Sequence, residues 1–192
     1  MIYFTSDIHF YDDRFDILFR YFKSIEEYHK TIIDNWNKVV RDDDIVYCLG
    51  DIVYKNSDIS ILNELSGTKY LIKGNHDTLD NKEYLKYFKE VYDKPQVQII
   101  INDNCYNLDH YPTRGVIDQW NLCGHIHGSW RVQKNMINVS VDCWDFTPVS
   151  YKQIEAAKNF IENYADDDCW AAYDTINMEH IKRGVSGTYW EK

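Results

Sequence analysis

Five short polar segments punctuate the first two thirds of the chain, each where an apolar, strand-like run stops. They are Asp7-Ile8-His9, Gly50-Asp51, Gly74-Asn75-His76-Asp77, His110 and Gly124-His125-Ile126-His127. A chain that reserves polar side chains for strand ends has few folds open to it. In α/β sheets, the crevice beyond the carboxyl ends of the strands is where ligands gather. Asp7, His9, Asp51, Asn75, His76, His110, His125 and His127 are oxygen and nitrogen donors of the kind that hold hard-to-borderline divalent ions. One ion takes about four to six donors. Eight candidates, with the lone Asp51 between histidine-bearing motifs, point to two ions. A two-metal site is suited to attack on phosphorus.

The rest of the pattern is consistent with such a sheet. Residues 2–5 read as a buried strand. Ser24, followed three residues later by Glu27, is a capping box. After it, Ile25, Tyr28, Ile32, Trp36, Val39 and Val40 recur at three- and four-residue steps, which predicts a helix with one buried face. Strands are predicted over 45–49 and 69–73, and short helices over 57–65, closed by Gly67, and over 82–88. Strand, helix, strand, helix, strand is the order of a parallel sheet with helical crossovers. The runs 97–101 and 105–108 flank the hairpin-like turn Asn102-Asp103-Asn104. Residues 120–123 lead into Gly124, and 136–141 read as a further strand, so this half predicts a second, more antiparallel sheet. Ser150 with Gln153 is a second capping box, opening a helix in which Ile154, Ala157, Ile161 and Tyr164 share a face.

Composition narrows the function classes. A length of 192 residues fits one domain, and 44% hydrophobic with 16% aromatic residues supplies a core. The net charge of -10 is the wrong sign for gripping a long nucleic-acid backbone. It leaves a nucleotide substrate open, because bound cations invert the local field. The five cysteines, Cys48, Cys105, Cys123, Cys143 and Cys169, are odd in number and form no C-x-x-C pair, so reduced, buried thiols are expected. No signal-peptide pattern and no apolar run of membrane-spanning length is present. The chain reads as soluble and cytoplasmic, with no membrane partner. The sequon Asn138-Val139-Ser140 has no meaning in that setting.

Singly, each motif residue has a plainer reading: an aspartate as a cap or turn, a histidine as a satisfied polar group. Their joint arrival at strand ends is what argues otherwise. Residues two apart on an extended backbone point to one side, so Asp7 and His9 would converge on one ion. Gly50 lets the backbone approach a metal, and the two oxygens of Asp51 can hold one ion each. His125 and His127 can feed two ions or share one. His29 and His180 are assigned no role, and Asp12, Asp13, Asp16 and 166–168 read as solvated charges or caps. Tyr11, Tyr54, Tyr111, Trp130 and Trp144 lie next to motifs, where they either stack a base or pack at the rim.

In this order the blocks D-x-H, G-D, G-N-H-D, a separate H and G-H-x-H resemble the calcineurin-like metallophosphoesterases. His110-Tyr111-Pro112 and the Gly124–Gly128 block look like the small bacterial and phage branch. The resemblance implies an α/β fold, a four-layer α/β/β/α sandwich of two mixed sheets flanked by helices. It implies a metallophosphoesterase domain over 1–164, with 165–192 as a C-terminal extension of the same domain. It further implies that Asp7, His9 and His127 hold one ion, Asn75, His110 and His125 the other, with Asp51 bridging and His76 facing the substrate phosphate. Manganese is the first choice for both ions, with iron, zinc, nickel and magnesium as the others. Two features differ from many relatives: Phe10-Tyr11-Asp12-Asp13 follows the first motif instead of Gly-His or Gly-Asn, and Gly50-Asp51-Ile52-Val53-Tyr54 lacks the aspartate-arginine extension of the protein serine/threonine phosphatases. The second argues against a phosphoprotein substrate.

The expected reaction is direct hydrolysis. Two ions roughly 3.5–4 Å apart share a water and lower its pKa, and the bridging hydroxide attacks phosphorus in line. The Asn75 amide helps neutralise the phosphoryl oxygens, and His76 stabilises them or protonates the leaving group. The substrate expected is a small phosphodiester, a nucleotide or cyclic nucleotide. A phosphomonoesterase is the alternative, then a metal-dependent nuclease, then a non-catalytic interaction scaffold.

Overall fold

The computed structural model describes residues 1–18, 20–55 and 57–164. In chain order these form β1 (Ile2–Thr5), α1 (Phe15–Leu18), α2 (Ile25–Val39), β2 (Ile45–Cys48), a 3-10 turn over Ile59–Glu64, β3 (Thr68–Ile72), α3 (Asn81–Tyr84) and β4 (Glu90–Tyr92). There follow β5 (Val97–Ile101), β6 (Asn104–Leu108), β7 (Trp120–Cys123), β8 (Val132–Gln133), β9 (Met136–Asn138), β10 (Val149–Ser150) and α4 (Tyr151–Tyr164). Both sheets and all five motifs lie in the unit Met1–Glu155. A second unit begins at Ala156; from it, the rest of α4 is described. The expectations for 165–192, including His180, 166–168 and Cys169, lie outside the described residues.

One sheet runs β10-β1-β2-β3-β4, with β1 to β4 parallel and β10 antiparallel to β1. The other runs β5-β6-β7-β9-β8. Two mixed five-stranded sheets with helices make the α/β sandwich that the motif order implied. The second sheet is less antiparallel than the alternating runs suggest: β6-β7 and β7-β9 are parallel, and only the β5-β6 and β8-β9 hairpins are antiparallel.

Helix α2 forms as its pattern predicts. The Ser24 side chain accepts the Glu27 N–H at 3.2 Å, while the Glu27 carboxylate reaches the Lys23 N–H at 2.7 Å instead of the serine's own amide. Tyr28, Ile32, Trp36 and Val40 are buried on one face, packed with Val46, Cys48 and Leu71 of the first sheet. At the other capping box, Ser150 N–H donates to Gln153 at 2.9 Å and α4 starts there.

Three elements depart from the sequence pattern. The 57–65 helix is a 3-10 turn capped by Asp58, whose carboxylate takes the Ser60 N–H. The 82–88 helix ends at Tyr84. The 136–141 strand stops at Asn138 because that side chain competes with the ladder. Its Nδ2 donates to the carbonyls of His127 and Trp130, and its Oδ1 accepts the Ser140 N–H, which turns the chain into a 3-10 segment over Val141–Cys143.

This topology delivers the motifs to one place. The parallel register aligns Thr5 with Cys48 and Cys48 with Leu71, so the loops after β1, β2 and β3 emerge at the same end. Leu108 aligns with Leu122 in the second sheet, so His110 and the Gly124–His127 loop also emerge together. A bridge between Ser6 and Ser140 and hydrogen bonds from His125 to Asp7 join the two ends.

Candidate metal centre

The motif loops are held in a conformation that the sequence pattern does not suggest. Asp7 and His9 are not extended: their φ angles are 56° and 53°, and Asp51, His125 and His127 share the left-handed region at 57°, 73° and 48°. Such angles cost a side-chain-bearing residue backbone energy and persist only where surroundings impose them. The surroundings are a second ladder, in which the Asp7 N–H donates to Gly50 O at 3.0 Å and the His9 N–H to Asp51 O at 2.9 Å. Gly50 makes room for other protein, not for a metal. A Cβ there would lie 2.4 Å from Gly74 N and 2.8 Å from His110 Nδ1. Gly124 is needed likewise, since a Cβ on it would meet Asp7 Oδ2 at 2.6 Å.

Among the described residues, three overlapping groups result, in each of which one donor atom per residue lies within 4.8 Å of the others: Asp7, His9 and His127; His9, Asp51 and His76; Asp51, His110 and His125. Asp51 joins the second and third. Its Oδ2 is 3.6 Å from His9 Nε2 and 3.4 Å from His110 Nε2. Its Oδ1 accepts the His76 N–H at 2.8 Å. Oδ2 thus faces histidines on both sides. Asn75 completes the third group, with Oδ1 3.2 Å from His110 Nε2. His76 stands close to the His9 and Tyr54 rings, at 5.1 and 5.3 Å between centroids.

The donor chemistry fits divalent cations. Both ring nitrogens of His9 are buried without a hydrogen-bond partner. Burial pushes this imidazole down to about 3, so it is neutral and its lone pair is available. His110 Nδ1 donates to Leu49 O at 2.7 Å, which leaves Nε2 as an acceptor. Around that Nε2 lie Asn75 Oδ1 at 3.2 Å, His125 Nδ1 at 3.3 Å and Asp51 Oδ2 at 3.4 Å. Four oxygen and nitrogen atoms gathered at this range form a cradle that suits a cation. Without a cation a proton takes that place. Burial works against charging His110, yet the Asp51 and Asp7 carboxylates raise it to about 9. Burial also opposes ionising Asp51, but His110 and the His76 N–H hold it down at about 2. Burial raises the Asp7 carboxyl, against the pull of His110 and His127.

Several partners escape the motif reading. Asp142 accepts His127 Nδ1–H at 2.8 Å and pairs with Arg20 through two bonds of 2.7 and 2.9 Å. Asp142 ends the 136–141 run as the motif aspartates end theirs, so the same rule could have found it; nothing local marks Arg20. Asp77 is buried and takes the N–H groups of Asp51, Gly74 and Ile52, so it braces the loop and is no partner for the His76 ring. Burial and the Asp51 charge raise it to about 6. Asp12 is fully buried and not solvated; its carboxylate accepts the Arg14 N–H at 3.1 Å just before α1, as a cap does, and pairs with the Arg14 guanidinium, while Asp13 and Asp16 are exposed. His29 accepts the Tyr11 N–H at 2.9 Å. Cys48, Cys123 and Cys143 are buried free thiols, and Cys105 is free and half-buried. Tyr54, Tyr111 and Trp144 each carry a cation over the ring: Arg14 at 4.5 Å, Arg114 at 4.3 Å and Arg131 at 4.6 Å respectively.

The sequence pattern described as the calcineurin-like phosphoesterase family matches residues 1–185. An uncharacterized protein of Methanocaldococcus jannaschii, MJ1445, is 34% identical over 163 residues, covering 78% of this chain and 86% of its own. The Gene 66 protein of Mycobacterium phage L5 is 26% identical over 220 residues, covering 95% and 97%. The crystal structure of AQ665 from Aquifex aeolicus, titled a protein of unknown function, superimposes with a TM-score of 0.67 at 28% identity, over 81% of this chain and 98% of that one. Among the described residues, no helix is long and apolar enough to cross a membrane. A family match running from β1 past α4, together with histidines and carboxylates gathered from five strand-end loops, leads to one conclusion: the chain belongs to the calcineurin-like phosphoesterases and is a phosphoester hydrolase.

Proposed function

We propose that the chain is a dinuclear phosphodiesterase acting on a small nucleotide or cyclic nucleotide. Asp7, His9 and His127 would hold one divalent ion, Asn75, His110 and His125 the other, and Asp51 both. The observation that carries this reading is the position of Asp51 Oδ2, 3.6 Å from His9 Nε2 and 3.4 Å from His110 Nε2, between two histidine groups. Ions bound there supply Lewis acidity toward the phosphoryl oxygens and an activated water for attack at phosphorus.

The chain's own groups do the rest. The His76 N–H fixes the Asp51 carboxylate at 2.8 Å, and the half-buried His76 ring stands beside His9, where it can donate a proton to the leaving oxygen. Tyr111 OH donates to Asn75 Oδ1 at 3.3 Å and orients the amide, whose NH2 would then be free to donate to a phosphoryl oxygen. Arg14 and Lys55 over Tyr54, and Arg114 over Tyr111, place positive charge beside a centre in an acidic protein. That favours a compact anionic substrate over a long polyanion. Manganese remains the first ion to try.

Hydrolysis of bis-p-nitrophenyl phosphate and p-nitrophenyl phosphate, with manganese and with chelator, tests this. Chelator-sensitive turnover with preference for the diester is expected. Preference for the monoester makes it a phosphomonoesterase, and no turnover of either overturns the reading.

A further inference from the structure

The two proposed ion positions are braced differently. His110, in the second, is oriented by a backbone carbonyl, Leu49 O at 2.7 Å. His127, in the first, is oriented by a buried carboxylate, Asp142, which is itself fixed by a buried guanidinium. The five N–H···O contacts of Arg20 reach well beyond Asp142. Nη1 donates to Ile8 O at 3.0 Å and Tyr28 OH at 2.9 Å, and Nη2 to Asp7 O at 2.5 Å. Tyr28 OH donates in turn to Ile8 O. One side chain thus grips the carbonyls of the left-handed Asp7-Ile8-His9 turn and, through Asp142, the imidazole of His127.

We infer that the Arg20–Asp142 pair is the positioning device of the Asp7, His9 and His127 ion position, locking a loop of one sheet to a loop of the other. This rests on the two-ion reading above. Asp142 is no candidate ligand itself. Its Oδ1 takes Arg20 Nε, and its Oδ2 takes His127 Nδ1, Arg20 Nη2 and the Ser140 hydroxyl at 3.2 Å. A carboxylate filled in this way sets the imidazole tautomer, with the proton on Nδ1 and the lone pair on Nε2. The guanidinium is planar and bidentate, so a lysine at 20 keeps the charge but cannot grip both Asp142 oxygens and two carbonyls at once. Loss of the pair should open the first position and spare the second.

The test is manganese binding to metal-stripped full-length protein, followed by calorimetry and by the Mn(II) resonance spectrum, for wild type, Asp142→Asn, Arg20→Lys, His127→Ala and Asp142→Asn/His127→Ala. Wild type should take up two ions. Asp142→Asn should weaken one of them by about 10–100-fold, with the other within about twofold. Because Asp142 acts through His127, the double variant should bind no worse than His127→Ala alone. A merely structural role would lower the unfolding temperature of the stripped protein and weaken both ions together. That result, or additive losses in the double variant, overturns the inference while the two-ion reading stands. Wild-type uptake of fewer than two ions overturns both. Should Arg20→Lys fail to fold, Asp142→Asn and the cycle with His127 decide alone.

Discussion

Asp51 Oδ2 faces His110 Nε2 at 3.4 Å while the same carboxylate accepts the His76 amide at 2.8 Å on its other oxygen. The carboxylate is therefore oriented by backbone on one side and offered to both histidine groups on the other. Asp51→Asn keeps the shape and removes the charge. Metal analysis after gel filtration should find little bound manganese, and activity should fall close to background. An Asp51→Asn protein that retains two ions would contradict the bridging role.

His76→Ala should separate binding from chemistry. Its ring touches His9 and Tyr54, yet its amide is what holds Asp51, and alanine keeps the amide. Two ions should remain, and turnover of an alkyl phosphodiester should slow by roughly 10²–10⁴-fold. Full activity on that substrate would remove the proton-donor role.

Gly124→Ala pushes a methyl group to 2.6 Å from Asp7 Oδ2, where the carboxylate is fixed by the His125 N–H at 3.0 Å and Ser6 Oγ at 2.6 Å. The Ser6 hydroxyl lies nearer still, so Ser6 and Asp7 must both shift. Calorimetry should show manganese affinity reduced by about tenfold or more, the scale seen when a ligand's support is lost. Unchanged affinity would mean that Asp7 is not needed in its present rotamer.

Trp36→Ala tests the core under the first sheet. The indole is 1% exposed and donates to Ser66 O at 2.9 Å. Urea unfolding should show a loss of about 3–5 kcal/mol from cavity formation. A loss under ~1 kcal/mol would show that the site repacks around the missing ring.

Stability should also fall on mild acidification through His29. Burial lowers this imidazole below its ordinary 6.5, and its Nε2 must stay unprotonated to accept the Tyr11 N–H. The unfolded chain therefore takes up the proton first. Its contribution is whole above pH 6.5 and is lost as pH falls toward the lowered folded value. The stability difference between stripped wild type and His29→Gln should be larger at roughly pH 7.5 than at roughly pH 5.5. A difference that does not change with pH would contradict the linkage.

How the motif residues meet was legible because the rule behind it is simple. Asp7, Asp51, Asn75, His110 and His125 each follow an apolar run, and parallel strands put their carboxyl ends together. Helix α2 was legible from its spacing and its cap. The left-handed turns at Asp7 and His9 were not, because they are imposed by hydrogen bonds to the Gly50-Asp51 loop more than forty residues away. Arg20 was invisible for the same reason: its carboxylate partner lies 122 residues on. Strands β4, β8 and β10 have two or three residues each, too few for periodicity to mark. The break after Asn138 depends on where one amide side chain points, which apolar patterning does not encode.

Asp7, His9, Asp51, His125 and His127 all occupy backbone angles that glycine adopts more cheaply. Folding and chemistry therefore pull these five positions in opposite directions. Glycine at any one of them should ease its loop and remove a candidate donor together, so a gain in folding stability would come with a loss of cation binding.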